Sequence, residues 1–133
     1  MNNRIASIFA LAALSAAGPV SAQSASLWEE FGSGDGLTVS YNPLTVRHND
    51  GVVTFLEKVS YATPATLPNG QRVAYYTVDM TINCAANTYS HANFTTYAAD
   101  GAVIPGVNDP TPAGMNAIPP GTPPAAFRTK FCT

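Results

Sequence analysis

Few side chains in this sequence could carry acid–base, nucleophilic or metal chemistry. There are two histidines, His48 and His91, two cysteines, Cys84 and Cys132, and eight scattered carboxylates. No pair of His, Cys, Asp or Glu has the spacing of a metal site. No serine stands in a Gly-x-Ser-x-Gly elbow, and Glu29 and Glu30 are neighbours that point to opposite faces of a strand. The run Gly32-Ser33-Gly34-Asp35-Gly36 lacks the lysine and the following helix of a phosphate-binding loop. Neither cysteine has a CxxC partner or a nearby histidine that would make it a nucleophile. These residues give no catalytic set, no cofactor site and no metal site, and they argue against an enzyme.

The chemistry that the cysteines do suit is with each other. The chain opens with a short basic stretch, an apolar run over residues 5–17, a Gly18-Pro19 break and Val20-Ser21-Ala22. That pattern predicts a secretory signal peptide over residues 1–22, cleaved after Ala22, with residues 23–133 as one domain. The apolar run is too short for the ~20 helical residues that span a bilayer. An exported chain is periplasmic, secreted or at the cell surface rather than cytoplasmic. There Cys84 and Cys132 are expected to form one disulfide; two free thiols or a catalytic thiol are the alternatives. Cleavage removes Arg4, which leaves five Lys/Arg against eight Asp/Glu, a net charge of −3. There is no basic patch, so no nucleic-acid partner is expected.

The elements that must position these residues are extended. From Arg72 to Cys84 the sequence alternates: Ala74, Tyr76, Val78, Met80, Ile82 and Cys84 on one parity, Thr77, Asp79, Thr81 and Asn83 on the other. This predicts a half-buried strand whose apolar face ends in a cysteine. Further strands are predicted over 26–31, 37–41, 45–47, 52–61, 89–97 and 102–104, with a hairpin at Asp50-Gly51. In the 52–61 strand Glu57 falls among Val53, Phe55, Val59 and Tyr61. Either a bulge resets the register there or Glu57 sits at the rim. The stretch from Ala62 to Gly70 reads as a loop, and the Pro- and Gly-rich stretch from Pro105 to Pro124 shows no periodicity. Thr122-Pro123 marks a helix start with a hydroxyl cap, and Ala125 to Phe131 is expected to be helical. The fold class is α+β: an antiparallel sheet of about six strands, a C-terminal helix packed on it, and one disulfide.

One surface feature remains. If the strands at 72–84 and 89–97 are neighbours, Tyr75, Asp79, Tyr89, His91 and Tyr97 would share the outward face. Tyrosine among polar residues is common on protein-binding surfaces. The same residues are also what exposed strands favour for their own stability. Asn93-Phe94-Thr95 matches a glycosylation acceptor, a pattern frequent by chance.

Several segments, in order, carry a resemblance. They are Trp28; Val39-Ser40-Tyr41-Asn42-Pro43-Leu44-Thr45-Val46-Arg47; Asn49-Asp50-Gly51-Val52-Val53-Thr54; and Pro68-Asn69-Gly70-Gln71-Arg72. Ile82-Asn83-Cys84, Phe94-Thr95-Thr96-Tyr97, Ile118-Pro119-Pro120-Gly121-Thr122-Pro123 and Cys132 follow. Together they resemble the surface-adhesin protein E-like domain of small exported bacterial proteins. The resemblance implies an antiparallel sheet with a C-terminal helix held by one disulfide, and a non-enzymatic protein. It implies adhesion to host extracellular-matrix or plasma proteins, and a homodimer. A periplasmic structural or accessory protein of the cell envelope, without host contact, is the alternative.

Overall fold

In the computed structural model, residues 26–111 and 113–133 are described. The expected signal peptide lies outside them. The elements are β1 (Glu29–Gly34), β2 (Leu37–Tyr41), a 3-10 turn (Pro43–Thr45), β3 (Arg47–Asn49), β4 (Val52–Thr66), β5 (Arg72–Asn83), β6 (Thr88–Tyr97), β7 (Asn116–Ala117) and α1 (Pro123–Phe131). They make the expected antiparallel sheet with a C-terminal helix. The strand order is β1-β2-β4-β5-β6-β7, with β3 beside β4 where β2 has ended.

The local chemistry explains most of the boundaries. Asp35 and Gly36 both have positive φ, as do Asp50 and Gly51. These two-residue turns twist with the strands and close the β1–β2 and β3–β4 hairpins. Pro43 has no N–H to give a ladder, and it lifts the chain off β4 between Tyr41 and Arg47. The backbone of Leu56, left without a strand partner there, is satisfied from the same turn. Its N–H donates to Thr45 Oγ1 at 2.9 Å, and its carbonyl accepts from the Asn42 N–H at 3.0 Å.

The helix begins as its sequence dictates. Thr122 caps it, accepting from the Ala125 N–H, and prolines fill the first positions, where a missing N–H costs nothing. Phe127 is fully buried and Phe131 lies one turn on. Phe127 stacks on Phe31 with ring centres 4.2 Å apart and meets Phe55 at 4.6 Å, while Phe131 meets Tyr41 at 5.3 Å. This aromatic cluster, with Val53, Met80, Ile82 and Ile118, is the core. Cys132, the C-cap of the helix, is bonded to Cys84 just beyond β5, with Cα atoms 5.6 Å apart. Arg128 donates to the Cys84 carbonyl at 2.9 Å beside it. The helix therefore covers the Tyr76–Ile82 face of β5, as the parity of that strand requires.

Three expectations about strands are corrected. β4 does not stop at Tyr61 but runs to Thr66, through Pro64. A register shift between Ser60 and Ala65 takes the proline out of the ladder. The 102–104 strand is reduced to one bridge, Tyr97 to Val103, and the partner of β6 is the short β7 instead. The aperiodic stretch before β7 still satisfies its backbone against β6, through Ile104, Asp109 and Ala113 and through Asn108 Oδ1 on the Thr96 N–H at 2.8 Å. The two readings of Glu57 both fail. The β4–β5 ladder is unbroken from Val52 to Ser60, so no bulge resets it, and Glu57 is 4 % exposed, on the covered face.

The sheet edges differ. The β6 edge is paired at Val103, at Asp109 and along β7. No described strand pairs with the outer edge of β1, which carries Glu29, Glu30, two glycines and a register shift between Glu30 and Gly32.

Candidate protein-binding face

With the helix on one face, the sheet keeps a second face that no described element covers. Cross-strand partners in an antiparallel pair project to the same side. The pairings therefore define rows on this open face. Ser60, Tyr75 and Tyr97 form one row; Ser40, Lys58, Thr77 and Thr95 form the next; Leu56 and Asp79 form a third.

Tyr75 and Tyr97 stack, ring centres 4.7 Å apart and planes 12° from parallel. Lys58 Nζ lies 4.4 Å from the Tyr75 ring centre and 5.3 Å from that of Trp28, just before β1. A cation held over an aromatic face gains on the order of 0.5–1 kcal/mol at an exposed site. Burial raises the Tyr75 phenol pKa, and the fields of Tyr97 and Asp100 add to it. Thr77 and Ser40 are buried beneath these larger side chains. The next position along the row from Tyr97 is Val103, half exposed. The result is a stripe of Trp28, Lys58, Tyr75, Tyr97 and Val103 running across the strands.

Of the five residues expected to share this face, Tyr75, Asp79 and Tyr97 do. Tyr89 and His91 do not. They pair with Ile82 and Met80 and so lie on the covered side, their rings 5.3 Å apart. The cause is Asn93. Its φ of 54° places it in the left-handed region, and the β5–β6 register shifts by one residue between Ala92 and Thr95. One inserted residue turns over the parity of everything before it. Asn93 then reaches across the open face and donates its amide to Asp79. On the covered side, burial lowers the His91 pKa.

Trp28 and Lys58 join this face beyond the five residues that the strand parities bring together. The signal for Lys58 was present, since it alternates with Val59 and Phe55, but its row becomes visible only once β4 is known to lie between β2 and β5. Among the described residues no group of three His, Cys, Asp or Glu could hold a metal ion. No described helix is long and apolar enough to cross a membrane.

A family model for surface-adhesin protein E matches residues 28–133. This chain belongs to the surface-adhesin protein E family. No curated protein and no solved structure matches it. Membership covers the whole described fold, from Trp28 at the open face to Cys132 at the helix end. The family is one of surface adhesins, and the Cys84–Cys132 disulfide suits an exported member.

Proposed function

We propose that this chain is an exported adhesin-like protein that engages a host extracellular-matrix or plasma protein through the open face of its sheet. The observation that carries the reading is the stripe of Trp28, Lys58, Tyr75 and Tyr97 on a face the disulfide-tethered helix leaves uncovered. Tyrosine and tryptophan bring large contact area at low entropy cost, and the surrounding threonines make a polar rim. Tyr89 and His91, being on the covered side, have no part in this surface.

The test is solid-phase binding to immobilised matrix and plasma proteins by the mature protein and by a Tyr75→Ala/Tyr97→Ala variant. Loss of at least about tenfold in affinity is expected, as for the removal of two central aromatic contacts. Undiminished binding by the variant would clear this face of a role. Fractionation of the native organism separates this function from the accessory-protein alternative, because protein confined to the periplasm cannot meet a host ligand.

A further inference from the structure

Asp79 and Lys58 are diagonal neighbours on the open face, since Asp79 pairs with Leu56 and Thr77 pairs with Lys58. Opposite charges so placed can form a cross-strand ion pair. They do not. Lys58 leans away, onto the rings of Tyr75 and Trp28, and the ion pair found among the described residues is that of Lys130 with Glu29. Asp79 is left with a neutral donor, the Asn93 amide.

Beside Asp79 is a depression of about 350 Å³, lined by Thr45, Thr54, Leu56, Asp79 and Thr81. It opens where Pro43 has carried the chain off β4. Its backbone is already satisfied, because Thr45 and Asn42 take both polar groups of Leu56. What the depression offers an incoming group is one carboxylate and the hydroxyls of Thr54 and Thr81, the Thr45 hydroxyl being held between the Leu56 N–H and the Asn42 carbonyl. Leu44, on the same turn as Thr45, is 72 % exposed.

We propose that this depression receives an arginine side chain of a partner protein, with Asp79 as its counter-charge. The proposal rests on the reading that the open face binds protein and adds the chemistry of the contact. A guanidinium has five donors in a planar fork and no acceptor, which matches a carboxylate set among hydroxyl oxygens. Its aliphatic stem needs an apolar surface, which Leu56 in the lining supplies. Lys58 is kept out of the way by the aromatic rings, so the site's charge stays available to a partner.

The probe is the peptide N-acetyl-Gly-Arg-Gly-amide, titrated into isotope-labelled mature protein and followed by amide chemical shifts. Saturable shifts at Thr54, Leu56, Asp79 and Thr81 are expected, with the citrulline and lysine peptides weaker. Asp79→Asn should weaken the arginine peptide at least about tenfold, the loss of one charge-assisted contact, with the rest of the spectrum unchanged. Equal shifts from the citrulline or lysine peptide, or shifts that survive in Asp79→Asn, overturn the proposal. A silent arginine probe alongside weakened matrix binding by the Tyr75/Tyr97 variant would keep the binding face and remove the cation site. Arginine binding at Asp79 with matrix binding unaffected by that variant would do the reverse.

Discussion

Glu57 stands directly opposite Val78 in the β4–β5 ladder, a carboxyl group facing an isopropyl group on the side of the sheet that the helix covers. Its other cross-strand partner is Tyr41. One Glu57 oxygen has no hydrogen-bond partner, and burial pushes the carboxyl pKa up to about 7. The nearby Tyr76 phenol is pushed up to about 12, by burial first and then by the fields of Glu57 and Tyr61.

The raised carboxyl makes stability depend on pH with a definite sign. The folded state holds the Glu57 proton more tightly than the unfolded chain, whose carboxyl titrates near 4.5. The stabilisation is complete below that value and is lost as pH rises to about 7. The total is about 3 kcal/mol, from about 1.4 kcal/mol for each unit of difference. Denaturant titrations of Glu57→Gln should show a flatter profile and a more stable protein than wild type at pH 8. An identical pH profile in the two proteins would contradict this.

His91 contributes the opposite slope. Burial lowers its pKa, so protonation favours the unfolded chain, and stability falls as pH drops below the ordinary histidine value of 6.5. His91→Gln should remove this acid-side loss and unmask the full Glu57 slope between pH 4.5 and 7. Repeating the titrations in the double variant checks that the two effects are separable.

The disulfide joins the end of the helix to the end of β5, closing a 48-residue separation. Reduction, or the Cys84→Ser/Cys132→Ser variant, should cost ~4 kcal/mol by loop-closure entropy. The reading is the drop in unfolding midpoint on adding reductant. An unchanged midpoint would mean that the helix holds to the sheet by packing alone.

Phe127 is the side chain on which that packing turns. Its ring meets Phe31, Tyr41, Phe55 and Phe131. Phe127→Ala should destabilise the domain by about 3–5 kcal/mol, and Phe127→Leu by clearly less. Thermal unfolding of the two variants supplies the comparison.

Asn93 decides which residues of β6 face outward, and it does so from a left-handed backbone conformation. Asn93→Val should cost about 1–2 kcal/mol for a β-branched residue held there, beyond the loss of the bond to Asp79. Asn93→Gly should cost less than Asn93→Val. Equal losses in the two variants would locate the effect in the side-chain hydrogen bond instead.

The parts of the fold that could be read from the sequence are those fixed by neighbours in the chain. Thr122-Pro123 starts a helix because a cap and a missing N–H act within one turn. The parity of Arg72–Asn83 put Cys84 on the helix side because a strand alternates without exception where it has no bulge. Asn93 breaks that rule in β6, and nothing in a two-residue count marks a bulge, so the parity of Tyr89 and His91 points to the face opposite the one they occupy. Glu57 is illegible in the sequence because a polar residue at a core position contradicts the local pattern, and only the unbroken ladder on both sides shows that it stays inside. Strand β7 forms from a stretch with no periodicity because the open edge of β6, not its own sequence, requires it.

The two edges of the sheet bear on how copies of this protein behave when crowded. One edge is paired at Val103, at Asp109 and along β7, and the other presents adjacent glutamates and a kinked strand. Neither offers the straight row of free N–H and C=O groups from which strands polymerise. A dense layer of these molecules would therefore resist growing into fibres by strand addition from one copy to the next.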